Sequence, residues 1–593
     1  MTTRPDNYLG RFLVWRIKHI PQKQFIILLS ILVGLITGFV AVILKNSTHA
    51  IQELVTSERL RDYHQVYYFL FPIIGILITV LIKRWLPGPL GEGIPSTLYA
   101  ISRRNGILKP FKMFASVITS AFTVGMGGSV GLEGPTVSTG SAIGSNVGRI
   151  LHLTYKQRIL LIGCATAGAI ASIFNAPIAA IIFTIEIFSL DLTMASLLPL
   201  LLASVSGAVT SIFLEGDSQI ISSNLTAQFE VSHVPAYIGV GVLCSLVSIY
   251  FKKAFFMTEG LFDKLENKYV KVLVGGTALG LLIFLIPPLY GEGFSTINHL
   301  LDGDVERVLS RSFLWSDDAG LPTILLLLAG LFLFKVLAAS FTMNAGGVGG
   351  IFAPTLFMGS ALGLMYAKFI NSTGLANLPE SNFTLVAMAG LMAGVLHAPL
   401  TAIFLIAEVT GGYSLFLPLM LTSATAYLVT RGIDPHSIYT EQLARRGDLI
   451  THNKDQTILT LMKTEQVIER DFIHTHPSMS LRDLVQVFTK SRRNLFPVLE
   501  EGRLVGVLTL DDFKQMLFDK TLYDKVFVRD LMVNAPAIVE KTDTMEAVMH
   551  KFQTSGAWNL PVTDSQGKYI GFISKSKLFS AYRRKLIEVS DDR

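Results

Sequence analysis

The sequence predicts an all-α polytopic membrane domain of two inverted repeats with broken helices, followed by a smaller soluble α/β pair. Three observations carry that expectation. Charge is distributed unevenly along the chain, many apolar stretches are too short to cross a bilayer upright, and blocks of sequence recur in the same order about 200 residues apart.

Of 593 residues, 50% are hydrophobic and only 16% charged, against about 25% charged in soluble proteins. From His452 onward about 40 of 142 residues are Asp, Glu, Lys or Arg, roughly 28%, whereas the first 451 hold about 54, roughly 12%. The chain is therefore two chemically different objects, which excludes a wholly soluble enzyme, a disordered protein and a fibrous one. The two cysteines, Cys164 and Cys244, sit in apolar runs and leave no disulfide framework or cysteine-based zinc site.

Residues 1–24 carry Arg4, Arg11, Arg16, Lys18 and Lys23 ahead of the first apolar stretch, Phe25 to Leu44. That stretch is about 20 residues long, without a small-residue cleavage site, and reads as a retained spanning helix. The positive-inside rule places the N-terminus in the cytoplasm, at a plasma or inner membrane. Further apolar stretches follow to Val429, among them Met113–Val124, Ala176–Phe188 and Ala398–Val409. At 1.5 Å per residue these fall short of about 30 Å of hydrocarbon. Broken helices of this kind survive at membrane depth only where they are buried in protein or line a polar cavity.

Three blocks recur in order. Gly91-Glu92-Gly93-Ile94-Pro95 is echoed by Gly291-Glu292-Gly293-Phe294; Pro135-Thr136 with Gly140-Ser141-Ala142-Ile143-Gly144 is echoed by Pro354-Thr355 with Gly359-Ser360-Ala361-Leu362-Gly363. Asn175-Ala176-Pro177 leading to Glu186 returns as His397-Ala398-Pro399 leading to Glu408. The membrane domain is thus expected over 25–450, with repeats at about 25–215 and 235–440 and the functional site between them. A linker is expected at 451–466. Beyond it, Asn494–Thr509 with a helix from Asp511 is repeated as Asn559–Ser574 with a helix from Lys575, two hairpin-plus-helix units at 467–525 and 526–588. An even number of crossings puts this pair in the cytoplasm with the N-terminus.

Three Gly/Pro clusters carry the chemistry: Gly91–Pro95, Gly131-Leu132-Glu133-Gly134-Pro135 and Gly349-Gly350-Ile351-Phe352-Ala353-Pro354. Glycine leaves backbone N–H groups unobstructed, and proline suits a helix's first turn, so each cluster reads as a helix N-terminus. A buried helix N-terminus offers free N–H donors and a partial charge of about +0.5, an anion site without a full cation. Close helix packing through small residues is the alternative reading of each cluster. Glu133 is an ionisable residue at membrane depth. Ionised, it can occupy the anion site itself; protonated, it is neutral and can swing away, which makes it a proton-controlled gate. A capping carboxylate without a transport role is its other reading.

These motifs resemble those of CLC chloride channels and chloride/proton antiporters, and the soluble repeats resemble a tandem CBS-domain pair, from about Ile26 to Arg584. The resemblance implies a homodimer with one anion pathway per subunit, Glu133 as gate and the Ile351 and Phe352 amides as anion ligands. Gly93, Ile94, Gly131, Gly134 and Gly350 would form the remaining backbone of the anion site. Tyr439 would match the tyrosine whose hydroxyl contacts the anion; from its residues alone it reads as a membrane-interface anchor. The expected partners are chloride or a similar anion, protons for an exchanger, the lipid membrane and a second copy, with no nucleic acid and no metal.

Departures from the family pattern sharpen the expectations. Glu92 stands where the family has a chloride-coordinating Ser, so it is protonated, turned away, part of a different selectivity, or a partner of the helix dipole. Ile187, following Glu186, stands where antiporters often carry a glutamate for intracellular proton access, as in the channel branch. Leu132 stands where the family often has Arg. One expectation is that Glu92 supplies the titratable group Ile187 lacks, making Glu133, Glu92 and Glu186 the proton-pathway candidates. In the soluble pair, Thr509 and Asp512 match the nucleotide-gripping pattern, whereas the second repeat has Ser574 and Lys577, so at most one adenine-nucleotide site is expected and no other cofactor. Among rival classes, an intramembrane metalloprotease would need His-Glu-x-x-His, and no His-Glu dipeptide occurs. A divalent-cation channel would need rings of acidic residues along its pore.

Overall fold

The computed structural model describes residues 8–55, 64–90, 93–190, 193–216, 221, 229–310, 312, 320–445, 459, 462 and 464–590. The chain divides into two compact units, Met1–Leu449 and Ile450–Arg593. Most of the segment expected as linker lies outside the described residues, as does Glu92.

After a short α1 (Tyr8–His19), the first repeat runs through α2 (Gln22–Val55), α3 (His64–Trp85), α4 (Gly93–Arg103), α5 (Lys112–Gly125), α6 (Glu133–Ile150), α7 (Tyr155–Phe174), α8 (Pro177–Phe188) and α9 (Met194–Glu215). The second runs through α10 (Val234–Asp263), α11 (Lys268–Leu285), α12 (Phe294–Leu301), α13 (Val305–Leu309), α14 (Leu321–Asn344), α15 (Phe352–Thr373), α16 (Glu380–Leu396), α17 (Pro399–Val409) and α18 (Phe416–Ile433), with α19 (Ile438–Arg445) closing the unit. Among the described residues, seven helices are long and apolar enough to cross a membrane. α8 and α17, with 12 and 11 residues, reach about 18 Å and cannot. The first spanning helix extends well past the apolar stretch that announced it, to Val55. Its polar continuation is held by Lys45, which pairs with Glu215 at the end of α9 at 2.8 Å.

The recurring sequence blocks have matching jobs. Gly140 and Gly144 let α6 press on α7: a methyl group at Gly144 would lie 2.5 Å from the Leu161 carbonyl oxygen. Their counterparts Gly359 and Gly363 do the same for α15 on α16, where a methyl at Gly363 would lie 2.2 Å from the Phe383 carbonyl oxygen. Close approach through small residues is how helices associate where lipid removes the hydrophobic drive. Asn175 and His397 cap α7 and α16 in the left-handed region, at φ 52° and 56°, and Pro177 and Pro399 then open α8 and α17. Each block is a sharp helix-to-helix reversal, built by a left-handed cap and a proline that needs no N–H partner in the first turn.

In the second unit, β1 (Leu495–Glu500) and β2 (Arg503–Thr509) pair antiparallel. Their turn residues Glu501 and Gly502 both have positive φ, 51° and 80°, the requirement of a tight two-residue hairpin. β3 (Val539–Glu540) lies parallel to β4 (Asn559–Thr563), which pairs antiparallel with β5 (Tyr569–Ser574). The hairpin ends of the two repeats bond to each other, with the Tyr569 N–H donating to the Gly502 carbonyl at 3.2 Å. The helix expected from Asp511 is shorter than its counterpart: it covers Leu510–Phe513 only. Phe513 leaves helical values, at φ −133°, with its ring buried against Phe496 and Phe488. The helix from Lys575 runs to Ser590.

Candidate functional site

The Gly/Pro clusters do open helices: α4 begins at Gly93, α6 at Glu133 and α15 at Phe352, each with its proline in the first turn. Their first residues converge almost backbone to backbone. A methyl at Gly93 would lie 2.9 Å from the Gly134 carbonyl oxygen, and one at Gly350 would lie 2.7 Å from the Gly134 nitrogen. The two repeats are stitched together here by Gly131 and Gly350, which exchange backbone hydrogen bonds of 2.9 and 2.7 Å. This pairing satisfies non-helical backbone in a place where water is scarce.

A cavity of about 40 Å³ opens beside this junction, lined among others by Gly93, Ile94, Gly134, Gly350, Ile351 and Tyr439. That is room for water-sized particles. α19 contributes its own first turn, Ile438 and Tyr439, so the starts of α4, α6, α15 and α19 all face one small space. Such a set supplies N–H donors and partial positive charge without a full cation. Ile351 precedes α15, and the Phe352 ring is fixed by Phe174 and Phe183, at centroid distances of 5.3 and 6.2 Å. Tyr439 is held in place indirectly. Lys252 of α10 bonds Asp434 and the His436 carbonyl, both at 2.6 Å, and Glu441 at 2.9 Å, pinning both sides of the turn that carries the tyrosine.

Glu133 is 1% exposed, and neither carboxylate oxygen has a hydrogen-bond partner. The Glu133 and Ala353 backbone N–H groups approach it. Its Oε2 is wedged against glycine: a methyl at Gly131 would lie 2.0 Å from it, and one at Gly350 3.3 Å from it. The two glycines are thus the space the carboxylate occupies.

Glu186 lies elsewhere and in a different state. Its carboxylate accepts the Leu400 and Thr401 N–H groups, at 3.0 and 2.8 Å, and the Thr401 hydroxyl at 2.6 Å. Glu408 mirrors it, accepting the Ile178 and Ala179 N–H groups at 3.0 and 2.7 Å. Each repeat's glutamate therefore caps the other repeat's short helix, while Ile187 is buried among apolar side chains.

Two charged groups near Glu133 were not singled out as site residues from sequence. Glu292 Oε1 accepts the N–H of Leu132 at 3.1 Å and interacts electrostatically with Glu133. Lys335 is fully buried. It donates to the Gly291 carbonyl at 2.9 Å, faces the Phe357 ring and acts on Glu292 through space. The available signal was Lys335 as the single charge inside an apolar helix of 24 residues.

In the soluble unit, Asp512 Oδ2 accepts the Thr509 N–H at 2.6 Å and its hydroxyl at 2.7 Å. The pair forms a capping box where β2 turns into a helix. In the second repeat Ser574 instead donates to Glu469 at 3.0 Å and accepts the Lys577 N–H at 3.1 Å.

A duplicated helical membrane domain, with helix N-termini from both repeats gathered on one cavity and a buried carboxylate beside it, defines a class of integral membrane transport protein. The chain belongs to the voltage-gated chloride channel family, whose model matches residues 74–431, and carries two CBS domains at 465–519 and 528–584. A relative from Ralstonia nicotianae described as "Putative chloride channel protein ClcB-like" is 30% identical over 62% of this chain and 82% of its own. The "H(+)/Cl(-) exchange transporter ClcA" of Vibrio cholerae is 27% identical over 71% of this chain and 89% of its own. Among solved structures, a slow cyanobacterial Cl-/H+ antiporter shares the fold at TM-score 0.62 and 23% identity, covering 71% of this chain and 97% of that one. A eukaryotic CLC transporter does so at TM-score 0.60 and 18% identity, covering 93% and 97%.

Proposed function

We propose that this protein moves chloride or a similar small anion through the cavity at the convergence of α4, α6, α15 and α19, with Glu133 as its proton-controlled gate. The observation that carries the reading is the unpartnered Glu133 carboxylate wedged between Gly131 and Gly350. Left unbonded beside N–H donors, it competes with an anion for the same partial charges, and protonation removes the competitor. Gly93, Ile94, Gly134, Gly350, Ile351 and Phe352 supply backbone to the anion site, and the Tyr439 hydroxyl is a neutral donor suited to transient binding. No full cation stands among the described residues that line the cavity, which favours release.

Glu186 is read as a structural cap, because its carboxylate is already filled by three donors. Protons reach the gate by another route, with Glu92 as the candidate relay; unchanged proton coupling in Glu92→Ser removes that assignment. The working unit is read as a homodimer in the plasma or inner membrane with cytoplasmic termini. The first CBS repeat is read as the adenine-nucleotide contact through Thr509 and Asp512, because the second repeat has Lys577 where that carboxylate would stand.

The test is reconstitution in liposomes with anion efflux and internal pH recorded together. Wild type is expected to release chloride faster at acidic pH, and Glu133→Gln to release it at a rate independent of pH. Equal pH dependence in both would overturn the reading. Movement of internal pH under a chloride gradient marks exchange; constant internal pH marks passive flow.

A further inference from the structure

The charge arrangement behind the gate goes beyond a single titratable glutamate. Glu292 stands at the start of the loop-to-α12 turn and reaches across to the other repeat, holding the N–H of Leu132, the residue next to Glu133. It is half-buried and is not among the residues lining the cavity. Lys335 of α14 lies behind it, fully buried, its ammonium bonded to the Gly291 carbonyl at 2.9 Å and more loosely to that of Leu289 at 3.4 Å. The charged groups acting on this place are Glu133 from α6, Lys335 from α14 and, from α2, Lys45, which is itself paired with Glu215. Tyr439 of α19 interacts with Glu133 from the cavity side.

Counting charge decides what this cluster can hold. With Glu133 and Glu292 ionised and Lys335 protonated, the trio carries one net negative charge; one added proton makes it neutral. Two neighbouring carboxylates in a desolvated place do not both ionise freely, and a nearby cation makes room for one of the two charges. We propose that Glu292 is a second charged carboxyl behind the gate, and that the Glu292 and Lys335 charges together set the pH at which Glu133 takes up its proton.

This inference rests on Glu133 being the gate and is tested in the intact Glu133 background. Chloride efflux from liposomes is measured across pH for wild type, Glu292→Gln, Glu292→Asp, Lys335→Met and the double variant Glu292→Gln/Lys335→Met. Glu292→Gln removes a repelling anion and leaves Lys335 uncompensated, so the pH midpoint of efflux is expected to move at least about half a unit to the acid side. Lys335→Met is expected to move it by a similar amount to the alkaline side, and the double variant to return it towards wild type. Glu292→Asp keeps the charge and is expected to keep the midpoint. If Lys335→Met does not yield folded protein by gel filtration, the Gln and Asp variants of Glu292 decide alone. Identical midpoints in Glu292→Gln and wild type, whatever the maximal rate, overturn the proposal. Failure of Glu133→Gln to abolish pH dependence would instead overturn the gate itself, so the two outcomes are distinct.

Discussion

Glu133 and Glu186 are both glutamates whose carboxylates lie at helix N-termini of one membrane domain, yet they are in opposite situations. Glu186 reaches across the repeat boundary to fill the free N–H groups of α17, as Glu408 does for α8. Glu133 sits at the start of its own helix with both oxygens unbonded. The physics of the helix terminus is the same in each case: free N–H donors attract a negative charge. What differs is whether the carboxylate satisfies those donors permanently. A filled terminus is a structural joint between repeats, and an unfilled one beside a cavity is a place where carboxylate and anion can alternate.

The contrast can be strained from several directions. The largest effect is expected from Gly131→Ala, whose methyl would lie 2.0 Å from Glu133 Oε2 and 2.8 Å from the Ala353 side chain. With backbone and helix on both sides, the carboxylate has to leave its slot, and efflux is expected to lose most of its pH dependence, read in the liposome assay. Next, Glu408→Gln removes a charged acceptor from two N–H groups, a loss of about 1–3 kcal/mol. It is expected to lower the thermal midpoint in detergent while leaving the pH dependence of transport intact. Thr401→Val removes only the hydroxyl bond to Glu186, 2.6 Å in length, and about 1 kcal/mol with it. A smaller drop in thermal midpoint is expected, again without a change in pH profile.

The smallest effect belongs to a fully solvated pair in the soluble unit. Arg482 grips Asp524 with two bonds of 2.9 and 2.7 Å and holds the Asp524 carboxyl below the usual carboxylate range. Its contribution is present above about pH 4, the ordinary Asp value, and fades as pH falls through the lowered one. Exposure and salt screening keep it small. Arg482→Ala is expected to leave the thermal midpoint nearly unchanged at neutral pH and indistinguishable from wild type in strong acid.

Much of this site could be read from local sequence because it is made of helix starts. Glycine before proline announced α4, α6 and α15 at Gly93, Glu133 and Phe352, and the repeated Asn/His-Ala-Pro blocks announced the reversals into α8 and α17. Those features depend on φ, on a missing N–H or on a missing Cβ, all written into neighbouring residues. What could not be read is whatever two distant residues settle between them. Glu186 was legible as an ionisable residue but not as the cap of a helix more than 200 positions away. Glu292 was visible only as the echo of Gly91–Gly93, and its contact with Leu132 crosses 160 positions. In the soluble unit, the early end of the helix after Thr509 follows from Phe513 turning into the core, a packing demand that helix propensity does not carry.

The most direct measurement places the two glutamates side by side: chloride efflux against pH for wild type, Glu133→Gln and Glu186→Gln in the same liposome preparation. The expected result is a flat profile for Glu133→Gln and a wild-type midpoint for Glu186→Gln, whatever its stability. A flat profile for Glu186→Gln, or an unaltered one for Glu133→Gln, would contradict the account, because it would mean that a satisfied carboxylate, rather than the unpartnered one, governs the passage of the anion.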